Sequence, residues 1–151
     1  MKTLQFSIDI RASRQTVWET MLAHDSYRVW TAEFSEGSYY EGSWEEGARV
    51  RFLVPSGDGM VAEVAECRAP EFLSLKHLGY VKDGVEDTES EMVRSWAPAF
   101  ENYTLSYAGL STHLQIDIDV TPEFEEYMTK VWPKALARLK QMCEERAAAK
   151  A

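Results

Sequence analysis

The sequence predicts an α+β fold: a curved antiparallel sheet of about six to seven strands around a long C-terminal helix, with two short helices after the first strand. Three patterns carry that expectation. Leu4, Phe6, Ile8 and Ile10 alternate with polar neighbours, the period of two that marks a strand with one buried face. Leu114, Ile116, Ile118 and Val120 repeat the pattern near the end of a strand-rich stretch. Thr121-Pro122 then opens a run in which Trp132, Leu136, Leu139 and Cys143 share one helical face.

After the first strand, Ser13 offers an N-cap, and Val17, Trp18, Met21 and Leu22 follow at helical spacing, so a short helix begins near Arg14. A second short helix is read from about Ser26 to Ala32, carrying Tyr27 and Trp30, with Phe34 just beyond. Strands resume at Tyr39-Tyr40, Val50-Phe52-Val54 and Met60-Ala62-Val64, separated by turns at Gly42 to Gly47 and Pro55 to Gly59. Phe72 to Tyr80 reads as the next strand, although Leu78 and Tyr80 break its alternation. The polar, acidic stretch between Val81 and Ala97 is long for a hairpin loop. Thr88 and Glu91 have the spacing of a capping box, which predicts a short helix over Glu89 to Trp96 that would act as a lid; a solvated loop with one aromatic anchor is the alternative. Phe100 to Ala108 and Thr112 to Val120 close the sheet. In the final helix, Pro133 removes a backbone donor, so a kink or break is expected near Lys130, with the main helix running from Pro133 to about Ala147 and a frayed end beyond.

The length fits one domain, 1–151, able to bury about 68–70% of the surface its unfolded chain exposes. Cys67 and Cys143 match no metal spacing and are read as reduced thiols. No stretch suits a signal peptide or a membrane span, which points to a cytoplasmic protein. A net charge of −9, with 25 acidic and 16 basic residues, disfavours nucleic acid as a partner.

Several segments together resemble the SRPBCC, or START-like, superfamily with its helix-grip fold. Within it, the chain is similar to homologues of the C-terminal domain of the activator of the 90-kDa heat-shock protein ATPase, the AHSA-like group. The matching pieces are the alternating first strand with Ala12-Ser13-Arg14-Gln15-Thr16-Val17-Trp18, the Tyr27 to Trp30 segment, the Gly42-Ser43-Trp44-Glu45-Glu46-Gly47 turn, and Trp132-Pro133-Lys134-Ala135-Leu136. Their order and spacing span nearly the whole chain. The resemblance implies a hydrophobic cavity between the sheet and the C-terminal helix.

Strand parity supplies its expected lining. Phe52, Val54, Met60, Ala62, Leu73, Leu75, Tyr103, Leu105, Leu114, Ile116 and Ile118 should point inward, with Trp30, Phe34, Trp96, Met128 and Trp132 around the mouth. An apolar enclosure with few polar groups is the usual make-up of a small-ligand site; the same side chains could instead fill the space as a closed core. His77 shares a face with Leu73 and Leu75, and Glu101 with Tyr103 and Leu105. Across an antiparallel pairing they come roughly opposite each other, an imidazole beside a carboxylate that would fix a ligand's polar end or move a proton. The alternative has His77 on a backbone carbonyl and Glu101 in solvent. His24 and His113 fall away from this face, so no metal site is expected, and no cofactor motif occurs. Neither a nucleophile elbow nor a partnered Ser or Cys is found.

The expected function is a binding protein for a small hydrophobic molecule with a polar end. One alternative is a cyclase- or condensation-type enzyme, a chemistry the superfamily resemblance implies, with Glu101, His77, Tyr103 and Tyr39 as acid–base groups. Another, implied by the AHSA-like resemblance, is a stress protein with a chaperone partner. An exposed edge strand leaves room for a homodimer.

Overall fold

The computed structural model describes residues 1–150. The chain runs β1 (Lys2–Ile10), α1 (Arg14–Leu22), α2 (His24–Trp30), a 3-10 turn (Thr31–Glu33), β2 (Tyr39–Gly42), β3 (Arg49–Leu53), β4 (Gly59–Arg68), β5 (Phe72–Lys82), β6 (Val85–Asp87), α3 (Glu91–Arg94), β7 (Ala99–Ala108), β8 (Ser111–Val120) and α4 (Pro122–Lys150). All strand pairings are antiparallel, in the order β1-β8-β7-β5-β4-β3-β2, with β6 added beside β5. The architecture is α+β, a long helix laid against one face of an open antiparallel sheet.

The clean alternations behave as written. Leu4, Phe6 and Ile8 stand opposite Ile118, Ile116 and Leu114, so two apolar rows of β1 and β8 face the core together. Ser13 Oγ accepts from the Thr16 amide at 3.1 Å and starts α1 where its side-chain chemistry predicts. The C-terminal carbonyls of α1, which have no partner within the helix, are taken by aromatic donors. Trp30 Nε1 donates to Met21 at 3.1 Å, and both Trp44 Nε1 and the Tyr40 hydroxyl donate to Leu22. Helix ends thus fix the orientation of three rings.

The fold class stands, and the structure refines details within it. The sheet has eight strands, because residues read as a polar loop fold back as β6, with Lys82 opposite Val85. Gly79 permits this approach: a Cβ there would lie 1.9 Å from the Asp87 carbonyl oxygen. The helix that follows begins at Ser90, whose Oγ accepts from the Val93 amide at 3.3 Å, so Ser90 and not Thr88 is the cap. Asp87 competes for that role by accepting from the amides of Glu89 and Ser90.

The irregular end of β5 is a β-bulge. Val61 pairs with Gly79 and Ala62 with His77, leaving Leu78 as the extra residue. The shift returns Tyr80 and Met60 to the side of Val93 and Trp96, while Leu78 packs with Leu53, Val61 and Val81 on the other.

Pro133 does not divide the last helix, which continues from Pro122 to Lys150. A proline in a helix interior costs about 3 kcal/mol. Here it lies on the exposed side, one turn after the exposed Thr129 whose carbonyl loses its partner. The opposite stripe, Trp132, Ala135, Leu136, Leu139 and Cys143, is fully buried, and burying one large side chain contributes about 1.5–3 kcal/mol. Burial therefore outweighs the broken bond. The C-terminal turns are tied down as well: Arg146 reaches Thr20 at 3.3 Å and Lys150 reaches Thr16 at 3.2 Å. Thr121 precedes the helix without capping it, since its Oγ1 is buried and has no partner.

Candidate functional site

α2 and α4 do not fill the concave face of the sheet. Between them lies a cavity of about 470 Å³. Its walls are largely aromatic: Tyr27, Trp30 and Phe34 from the α2 side, Trp44 and Phe52 from the β2–β3 region, Tyr103 from β7 and Trp132 from α4. Trp132 is the hub of this wall, with ring centroids 4.9 Å from Phe34 in an edge-on contact, 6.2 Å from Tyr103 and 6.3 Å from Trp30.

Of the residues read from parity, Trp30, Phe34, Phe52, Val54, Met60, Leu75, His77, Glu101, Tyr103, Met128 and Trp132 line this space. Leu105 does not. It sits opposite Leu114 in the packed half of the concave face, beneath α1. Trp96 also lies elsewhere, against Tyr80 at 5.1 Å, because the β6 hairpin and α3 carry it past the main cavity. Trp30 and Trp132 are deep walls, each 2% exposed, and not mouth residues. The rim consists of Phe124 and Tyr127 on the first turns of α4, both substantially exposed; the Tyr127 hydroxyl donates to the Phe34 carbonyl. Periodicity missed this rim, and it missed Tyr27 and Trp44. Tyr27 stands three residues before Trp30, on the same side of α2, a spacing that points to the same cavity.

One hydrogen-bonded cluster of ionisable side chains interrupts the largely apolar lining, apart from Thr31, Ser35 and Ser38 on the α2 side. His77 Nε2 lies 3.1 Å from Glu101 Oε1, and the Tyr103 hydroxyl donates to Glu101 Oε2. The register is offset from the simple expectation: His77 pairs with Ala99 and Glu101 with Leu75, so the two are diagonal neighbours on one face. Their side chains are long enough to meet across that diagonal. Burial, followed by the negative charge of Glu101, pushes the Tyr103 phenol well above its ordinary range. Tyr103 is thus a protonated donor at neutral pH. The same two causes, in the same order, raise Tyr27. His77 Nδ1 and Trp132 Nε1 are buried without a partner, so the cluster is not saturated by the protein.

A second cavity of about 160 Å³ lies beyond this cluster, under Trp96, Tyr80 and Thr121. It shares Met60, His77, Glu101, Ile118, Phe124 and Met128 with the first, so the His77–Glu101 pair stands in the partition. Among the described residues no group of three or more His, Cys, Asp or Glu is placed to hold a metal ion. His24 stacks on Tyr40 at 4.2 Å, and His113 Nδ1 meets Asp9 at 2.8 Å. Both cysteines are free, and burial pushes the Cys143 thiol up to about 11, far from a reactive thiolate.

The sequence matches no protein-family model and no curated protein. Solved structures do match. The Aha1 dimer from Colwellia psychrerythraea superposes with a TM-score of 0.73 at 18% identity, over 95% of this chain and 97% of that one. Protein MLL2253 from Mesorhizobium loti gives 0.72 at 16% identity, over 95% and 98%. CalU16 from Micromonospora echinospora gives 0.62 at 16% identity, over 97% and 86%. The chain shares its fold with these structures, the fold that the AHSA-like resemblance implied. The helix-grip arrangement described above is the one shared with these structures, and at such identities the likeness concerns fold alone. Among the described residues no helix is long and apolar enough to cross a membrane.

Proposed function

We propose that the protein binds a small hydrophobic molecule between the sheet and α4, with Glu101, His77 and Tyr103 meeting its polar end. The observation that carries this reading is the unfilled space itself. Its volume of about 470 Å³ lies within the range of small-molecule sites, about 300–1,000 Å³, and its largely aromatic walls hold one cluster of ionisable side chains. Native mass spectrometry of freshly purified protein, followed by solvent extraction, tests it directly. An adduct that extracts as a small apolar compound is the expected result. No adduct, together with unchanged tryptophan emission across a panel of lipids and aromatic compounds, would rule the reading out.

The hydrogen-bonded chain Tyr103–Glu101–His77 favours a second reading, acid–base catalysis on the bound molecule in the manner of a cyclase. It requires turnover that vanishes in Glu101→Gln while binding survives. The likeness to an Aha1 dimer supports a homodimer as a further proposal, checked by sedimentation, and the AHSA-like resemblance of the sequence a chaperone partner, checked by pull-down. A cytoplasmic location is proposed with them.

A further inference from the structure

Which chemistry the polar end of the cavity accepts follows from its charges and its unused hydrogen-bonding capacity. Glu101 is the carboxylate of the lining, and among the described lining residues there is no lysine or arginine. Its two oxygens each accept one bond, from His77 and from Tyr103, whereas an ionised carboxylate offers about four lone-pair sites. Acceptor capacity therefore remains. Beside it, the Tyr27 hydroxyl lines the cavity, makes no hydrogen bond among the described residues, and is close enough to Glu101 to feel its charge. A carboxylate or phosphate entering this space would be desolvated next to Glu101, with no lysine or arginine to pair it and with the His77 imidazole already engaged by Glu101, an arrangement in which a buried anion is unfavourable. A hydroxyl or an amine instead donates to the spare lone pairs of Glu101 and exchanges a second bond with Tyr27, while the unpartnered Trp132 Nε1 is left as a donor for an acceptor elsewhere on the ligand.

Resting on the binding reading above, we infer that the ligand's polar end is a hydrogen-bond donor, a hydroxyl or an amine, and that the cavity rejects anionic lipids and acids. The body of the ligand is set by the ring-lined walls, which favour a flat, unsaturated frame over a flexible chain.

Four matched fluorescent probes test this on the intact protein: pyrene, 1-pyrenemethanol, 1-pyrenemethylamine and 1-pyrenecarboxylate, titrated by energy transfer from tryptophan. The methanol or the amine should bind about tenfold or more tighter than pyrene, as a hydrogen bond to a charged group is worth, and the carboxylate more weakly than pyrene. Whichever of the two donors is tighter identifies the head group. Glu101→Gln should bring the carboxylate up to the level of pyrene and reduce the donor advantage to about threefold or less, and Tyr27→Phe should also lower the ratio of methanol to pyrene. A carboxylate that binds the wild type as tightly as the methanol, or donors no tighter than pyrene, would overturn the inference while leaving the container intact. Silence from all four probes would overturn the binding reading and this inference with it. The wild-type series decides even if a variant does not fold.

Discussion

Removing the Glu101 carboxylate separates a hydrogen-bonded cluster from a set of polar groups that merely sit together. Glu101→Leu keeps a side chain of similar bulk but leaves His77 Nε2 and the Tyr103 hydroxyl without their shared acceptor, and both residues are buried, at 8% and 6% exposure. A buried donor stripped of its partner costs about 1–3 kcal/mol, so the pair predicts about 2–6 kcal/mol. Relief of the carboxylate's own desolvation moves the expectation to the lower half, about 2–4 kcal/mol. Tyr103→Phe deletes one donor without creating a new one and should cost about 1–2 kcal/mol. In the double variant the bond to Glu101 is lost only once and the orphaned phenol no longer exists, so the total should fall short of the sum by about 2–5 kcal/mol. Urea unfolding of the four proteins, followed by tryptophan emission, gives each value. Strict additivity, or a Glu101→Leu protein as stable as the wild type, would refute the reasoning: water in the cavity would then be satisfying the donors, and the cluster would not act as a unit.

Three further outcomes are expected. Pro133→Ala restores an amide donor to the exposed Thr129 carbonyl within an unbroken helix and should stabilise the protein by about 1–2 kcal/mol, raising the Tm by roughly 2–8 °C; an unchanged or lower Tm would show that the helix depends on the proline. Glu86 holds the β6 strap by accepting from Arg49 Nη1 at 2.6 Å and Arg51 Nε at 2.9 Å, so Glu86→Gln should speed hydrogen exchange over residues 85–96 while global stability changes by about 1 kcal/mol or less. Glu144, held below its ordinary carboxylate range by the Arg11 amide first and the Lys140 ammonium next, contributes stability that is present above the unfolded pKa and lost as pH falls through the lower folded value. Glu144→Gln should therefore be the less stable protein at pH 7 and converge with the wild type in acid. A constant gap across that range would exclude the linkage.

What could be read in advance follows where local pattern and long-range packing agree. β1 and β8 carry one apolar face each, and a one-residue slip would turn Leu114, Ile116 and Ile118 into solvent, so alternation sufficed to place them. Ser13 and α1 were legible for the same reason: a cap and an apolar stripe point to one start. β6 was not, because Val85-Glu86-Asp87 is polar and short; its pairing is secured by the close approach at Gly79 and by Arg49 and Arg51, contacts that lie far away in the chain. Pro133 misled because propensity is local while the burial of Trp132, Leu136 and Leu139 is tertiary. In the site, parity found the strand-borne lining. It placed Leu105 and Trp96 wrongly because a face says which way a residue points and not where along the strand the covering helices leave space. The rim at Phe124 and Tyr127 carried no periodic signal, since both sit off the buried stripe of the helix, on its exposed side.

The size of the cavity bears on the proposed binding role. A dry void of about 470 Å³, at about 24 cal/mol per Å³, would cost about 11 kcal/mol, comparable with the 5–15 kcal/mol of net stability typical of a folded chain. Larger side chains in the lining would be the simple remedy, yet the space stays unfilled. The exposed Phe124 and Tyr127 rim instead admits water, which replaces the cost of a void with that of wetting aromatic walls. A ligand that displaces this water relieves that cost, and it stabilises the fold by mass action in addition, about 2.7 kcal/mol at a free concentration one hundred times its Kd. For a chain of 151 residues that corresponds to a Tm shift of roughly 5–11 °C. A compound that saturates the tryptophan signal should therefore raise the Tm in proportion to the logarithm of its concentration. Saturation without such a shift would place its binding outside the folded cavity.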